Sequence, residues 1–159
     1  MTRKEQYNQL ILQIAGLIKD ETNLVGILAN VSAALHDTFP ERFFWVGFYL
    51  QENGNMLRLG PFQGSVACYV IPFGKGVCGK AWEEGRTLIV PDVEKFPGHI
   101  ACSSLSRSEI VVPMYDDSHT FRGVLDIDST QLNDFNKDDK EGLERIIELL
   151  MAETHDLFQ

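Results

Sequence analysis

Helix-period apolar patterns stand at the two ends of this chain, and between them lie mostly short apolar runs joined by tight turns. That division constrains the fold more than any single motif does, because strands joined by hairpins must run antiparallel. At the N-terminus, residues 2–5 fit an S/T-x-x-E capping box. Tyr7, Leu10, Ile11, Ile14, Leu17 and Ile18 follow at helical spacing. A second helix is predicted from about Asn23, carrying Leu24, Ile27, Leu28, Val31 and Leu35 and ending before Pro40. A last long helix is predicted from about Asn136, with Leu143, Ile146, Ile147, Leu150 and Met151 on one face.

The middle is strand-rich. Residues 42–50 (RFFWVGFYL) read as a buried strand. Gly54 and Asn55 make a turn, and residues 56–59 return as the hairpin partner. Residues 67–73 and 87–90 read as further strands, separated by a short helix at 76–84 that Gly85 closes. Residues 91–108 form a long connection with a Pro97-Gly98 turn. Residues 109–115 and 121–128 form a hairpin around 116–119. The expectation is one α+β domain over residues 1–159, with a mainly antiparallel central sheet and the N- and C-terminal helices packed on one side.

Charge narrows the partners. The net charge is −9, and the 14 Lys and Arg residues nowhere form a run. A nucleic-acid binder needs a basic face, since phosphate contacts supply most of that affinity. Nucleic acid and anionic membranes are therefore not expected as partners. The opening MTRKEQYNQL has no apolar run of the kind a secretory signal needs, so a cytoplasmic location is expected. Three cysteines, Cys68, Cys78 and Cys102, do not suggest a structural disulfide framework.

One motif misleads. Gly74-Lys-Gly76-Val-Cys-Gly79 matches G-x-G-x-x-G after a strand and before a helix. No long helix and parallel strand follow, and Asp92 comes too early for the ribose-binding acid expected about 20 residues on. A tight loop that brings backbone close to a pocket fits better.

The chemistry concentrates elsewhere. Along Gly123-Val-Leu-Asp-Ile-Asp-Ser side chains alternate, so Asp126 and Asp128 share one face and Leu125 and Ile127 the other. A turn near Ser118 sets Glu109 across from positions 126–128. Three carboxyls on one patch raise at least one pKa, and such a patch can hold an ammonium while keeping a proton to donate. The residues alone equally allow a solvated sheet face. Cys102 lies seven residues before Glu109, in the loop after Pro97-Gly98-His99, where it is a candidate nucleophile or a small buried apolar residue. His99 could activate it, but no third orienting group is apparent, so a surface loop residue is the simpler reading. Zinc would usually require a close C-x₂₋₄-C pair; here nine and twenty-three residues separate the cysteines. Trp45, Gly47 and Tyr49 share a strand face, where Gly47 could leave a slot between two rings for a thioether. Ordinary core packing explains them too.

In GPFQGSVACYVIPFGKGVCGKAW, PDVEKFPGHIACSSLSRSEIVVPM and GVLDIDS, with C-x₉-C-x₂₃-C, the chain resembles the free methionine-(R)-sulfoxide reductases, which are single GAF domains. The resemblance covers nearly the whole chain. It implies that Cys102 attacks the sulfoxide sulfur, with Cys68 as the main resolving thiol and Cys78 as an alternative or relay. It implies that Glu109, Asp126 and Asp128 hold the substrate's ammonium and help protonate its oxygen, and that Trp45 and Tyr49 flank the methyl end. It further implies thioredoxin as reductant, no metal or other cofactor, and a homodimer. The substrate carboxylate is expected on backbone N–H groups around Ile100 and Ala101, with Arg107 as a rival. The competing reading is a GAF module that binds a small molecule without catalysis.

Overall fold

The structure, a computed structural model, describes residues 1–158. Six strands form one antiparallel sheet: β1 (Trp45–Glu52), β2 (Met56–Gln63), β3 (Val70–Pro72), β4 (Leu88–Val90), β5 (Ser108–Tyr115) and β6 (Phe121–Ser129). They lie in the order β3-β2-β1-β6-β5-β4. Helices α1 (Arg3–Ile18), α2 (Leu24–Thr38) and α4 (Lys137–Thr154) cover one face, and α3 (Gly76–Glu84) with the long loops lies on the other.

The period-2 pattern of the central strands explains the two layers. Val46 and Phe48 of β1, Ile110, Val112 and Met114 of β5, and Leu125 and Ile127 of β6 join the three helices in one core. Their alternates, Trp45, Tyr49, Val111 and Val124, face α3. This layer carries the site. Among the described residues, no helix is long and apolar enough to cross a membrane.

Both ends of the helical layer are capped by side chains. The Thr2 hydroxyl accepts from the Glu5 N–H at 3.1 Å and opens α1. At α4 the reciprocal box is complete: Asn136 Oδ1 accepts from the Asp139 N–H at 3.3 Å, and Asp139 Oδ2 accepts from the Asn136 N–H at 2.9 Å.

Three strands depart most from the sequence reading. The first strand begins at Trp45 rather than 42, because the N–H groups of Arg42 and Phe43 turn back onto the Phe39 carbonyl at 3.1 and 2.9 Å. The Arg42 side chain is thereby free to pair with Asp134 and Asp139. β2 runs on to Gln63, past Gly60 and Pro61. Only Met56, Leu57 and Arg58 are flanked by β3, so a proline further along interrupts no ladder on that side. Conversely, β3 shrinks to Val70–Pro72, and residues 67–69 become loop.

Candidate active site

Glu109, Asp126 and Asp128 meet because β5 and β6 pair in one register: Glu109 lies opposite Asp128, and Val111 opposite Asp126. β1 adds its own face, with Trp45 opposite Asp128 and Gly47 opposite Asp126. All three acids line a cavity that Trp45, Tyr49 and Cys102 also line. Glu109 and Asp126 are only 6% and 5% exposed. Burial first, then the charges of Asp126 and Asp128, pushes the Glu109 carboxyl well above its ordinary range. Asp128 rises strongly for the same reasons, burial and then Asp126. Asp126 rises through burial, but neighbouring Glu109, Cys78 and His99 pull it back. Of the three, Asp126 is the one whose rise its neighbours only oppose. Asp126 Oδ1 is buried with no hydrogen-bond partner.

The wall opposite the acids is held by a covalent bond. Cys68 and Cys102 form a disulfide across a sequence separation of 34, with their Cα atoms 5.5 Å apart. Cys102 and Cys78 both line the cavity, and Cys78 is buried and free. Two side chains of β1 tether the Cys68 loop. The Tyr49 hydroxyl donates to the Cys68 carbonyl and the Trp45 Nε1–H donates to the Ser65 carbonyl, both at 3.0 Å. Burial, followed by Asp126, pushes the Tyr49 phenol up, so it remains a donor.

α3 forms the remaining side. The three glycines of the misleading motif serve packing here. Gly76 has φ +61°, and a Cβ there would lie 3.2 Å from the Ile100 side chain, which lines the cavity. At Gly79 a Cβ would sit 2.5 Å from the Pro72 carbonyl oxygen, so only glycine lets the helix approach β3.

Several site expectations need correction. His99, read as a surface loop residue, lines the cavity, with Nε2 3.9 Å from Glu109 Oε1. The Pro97-Gly98 turn, closed by the His99 N–H on the Phe96 carbonyl at 3.2 Å, directs it inward. Burial lowers its pKa, so the ring is neutral near neutral pH. The Ala101 side chain is exposed and does not line the cavity. Among the described residues, the N–H groups of Ile100 and Ala101 have no intramolecular partner, so backbone donors do remain there. Arg107 lies outside: its guanidinium pairs with Glu94 at 3.6 Å in solvent. Gly47 leaves no slot, since Phe62 fills the space beside it and stacks on Trp45 with centroids 5.0 Å apart. Trp45 also stacks on Tyr49, at 5.8 Å. Ile71, Val77 and Ser106 are among the further lining residues and were not foreseen. The first two are merely apolar residues beside a turn, and the serine carries no signal of its own.

Helices on one face of a six-stranded antiparallel sheet and a small hollow lined by acids and cysteines on the other fit a GAF domain, and the GAF-domain family model matches residues 21–152. The chain is 56% identical over 149 residues to GAF domain-containing protein A of Dictyostelium discoideum, covering 94% of this chain and 92% of that one. It is 43% identical over 155 residues to the free methionine-R-sulfoxide reductase of Saccharomyces cerevisiae, covering 94% and 86%. The free methionine-R-sulfoxide reductase of Neisseria meningitidis, solved with its substrate, superposes with a TM-score of 0.93 at 46% identity, covering 98% of this chain and 92% of that one. This chain belongs to the free methionine-R-sulfoxide reductase family of GAF-domain proteins.

Proposed function

We propose that this chain reduces free methionine (R)-sulfoxide to methionine, with Cys102 as nucleophile and a thioredoxin-class dithiol as final electron donor. One observation carries the reading: Cys102, already paired with Cys68, opens onto a cavity lined by the buried acids Glu109 and Asp126 and the half-buried Asp128.

The substrate's ammonium sits against Asp126, whose unpartnered oxygen it satisfies. Its carboxylate takes the free N–H groups of Ile100 and Ala101, and its methyl end lies toward Trp45 and Tyr49. The Cys102 thiolate attacks the sulfoxide sulfur, and protonated Glu109 or Asp128 supplies the proton the oxygen needs. The S–O bond breaks, methionine leaves, and Cys102 carries the oxygen as a sulfenic acid. The Cys68 thiol then displaces that oxygen as water and forms the disulfide. A dithiol reduces it by exchange, so one sulfoxide and one dithiol give methionine, water and one external disulfide. No metal or organic cofactor takes part. Cys78 stays outside this cycle as a free thiol. The reading extends to a cytoplasmic location and a homodimer.

Recognition of both backbone charges explains a preference for the free amino acid, because a peptide bond removes them. Reduced protein, thioredoxin and its reductase should turn over free methionine (R)-sulfoxide far faster than the N-acetylated compound. Equal rates on the two would contradict the pocket, and no turnover of either would leave a binding module without catalysis.

A further inference from the structure

The thiol that the reaction leaves unused lies against the acids. Cys78 Sγ and one carboxylate oxygen each of Glu109 and Asp126 lie within 4.8 Å of one another, all three residues buried. His99 Nε2 is 3.9 Å from Glu109 Oε1, at the mouth of the same cluster. The buried Asp126 Oδ1 has no partner. We propose that Cys78, Glu109 and Asp126, with His99 as the outer ligand, form a binding site for a zinc-class divalent cation. This cation and the amino-acid substrate exclude one another.

The donor set selects the metal. One thiolate, one imidazole and two carboxylates suit a four-coordinate borderline cation such as Zn²⁺. Mg²⁺ and Ca²⁺ require six or more oxygen ligands, which this cavity does not supply. On binding, the Cys78 thiol proton and any proton held on the Glu109 carboxyl are released to solvent and the sulfur–metal bond forms, with no change of oxidation state. The cysteine set weighed from the sequence cannot do this, since Cys68 and Cys102 are bonded to each other. Cys78 is the one thiol left, so the site exists while the disulfide is closed. A cation there neutralises the acids that would otherwise hold the ammonium. The resulting block of turnover rests on the proposed function; the cation binding itself does not.

Co²⁺ as a zinc probe tests this on the disulfide-closed, metal-free protein, where Cys78 is the only thiol. One Co²⁺ per chain should bind with a sulfur-to-cobalt charge-transfer band. Zn²⁺ should erase the band and excess Mg²⁺ should leave it. Asp126→Asn should weaken Co²⁺ binding at least tenfold. Free methionine sulfoxide, which the disulfide form cannot reduce, should raise the apparent Co²⁺ dissociation constant in proportion to its concentration. Absence of the band in the wild-type protein overturns the site whether or not the variant folds. A band untouched by Asp126→Asn overturns the ligand set, and one untouched by methionine sulfoxide overturns the exclusion. A band in a protein without reductase activity would leave the cation site standing and remove the reductase reading.

Discussion

Glu109 is a carboxyl enclosed beside two others, and pH reads its state. Its folded pKa is raised by burial and by Asp126 and Asp128. A group raised in this way favours the fold while protonated. That contribution is complete below its unfolded pKa and is lost as pH rises through the folded one. Wild-type stability should therefore fall as pH climbs from the ordinary carboxylate range through the raised value, and Glu109→Gln should flatten the fall. Denaturant midpoints across that range measure it; parallel profiles would mean Glu109 ionises freely. The same substitution should lower kcat/KM for free methionine sulfoxide about ten- to a hundredfold, matching the roughly 1.5–3 kcal/mol of a charge-assisted hydrogen bond. Unchanged kinetic constants would remove Glu109 from the site. The acids were legible because alternation along β6 is strict, while the hairpin left the register open by a residue or two and its irregularity between Met114 and Tyr115 was not foreseen. His99 was not legible. Its direction depends on how a turn at Gly98, φ +76°, sits in a long loop, and no periodicity reports that.

The N-terminus of α4 ties three elements together. Asp139, fully buried, accepts from Tyr7 Oη and Arg3 at 2.7 Å and from Arg42 at 3.0 Å, besides closing its own capping box. It thereby joins α1, the segment before β1, and α4. Asp139→Ala should leave two arginines without their buried partner and cost about 3–5 kcal/mol. For a chain of this size that lowers Tm by roughly 6–20 °C. A loss below about 1 kcal/mol by denaturant titration would show that the arginines find water instead. Elements were more legible than their ends. Apolar spacing placed all four helices and six strands, whereas Arg42 stands outside the first strand, with its charge on Asp139 about a hundred residues away. No local pattern encodes such a partner. Gly60 and Pro61 misled in the opposite direction, as turn residues inside a strand.

At the scale of the molecule, the disulfide couples stability to redox state. Closing a loop of sequence separation 34 removes denatured-state entropy worth about 3–4 kcal/mol in the chain-entropy model. Oxidised protein should resist denaturant more than reduced protein by up to that amount, and Cys68→Ser should abolish the difference. Equal midpoints for the two wild-type forms would contradict a native bridge. The pairing itself was not legible from spacing. Three isolated cysteines allow any pair, and Cys68 meets Cys102 only because Tyr49 and Trp45 hold its loop beside the cavity. The central claim, that Cys102 takes the sulfoxide oxygen and Cys68 resolves it, is tested by one experiment. Fully reduced protein is mixed with excess methionine (R)-sulfoxide and no reductant, quenched, and analysed for methionine and for cysteine pairing by mass mapping. The account predicts one methionine per chain, a Cys68–Cys102 disulfide and a free Cys78. Methionine formed at full yield by Cys102→Ser, or a bridge that uses Cys78 and leaves Cys68 free, would contradict it.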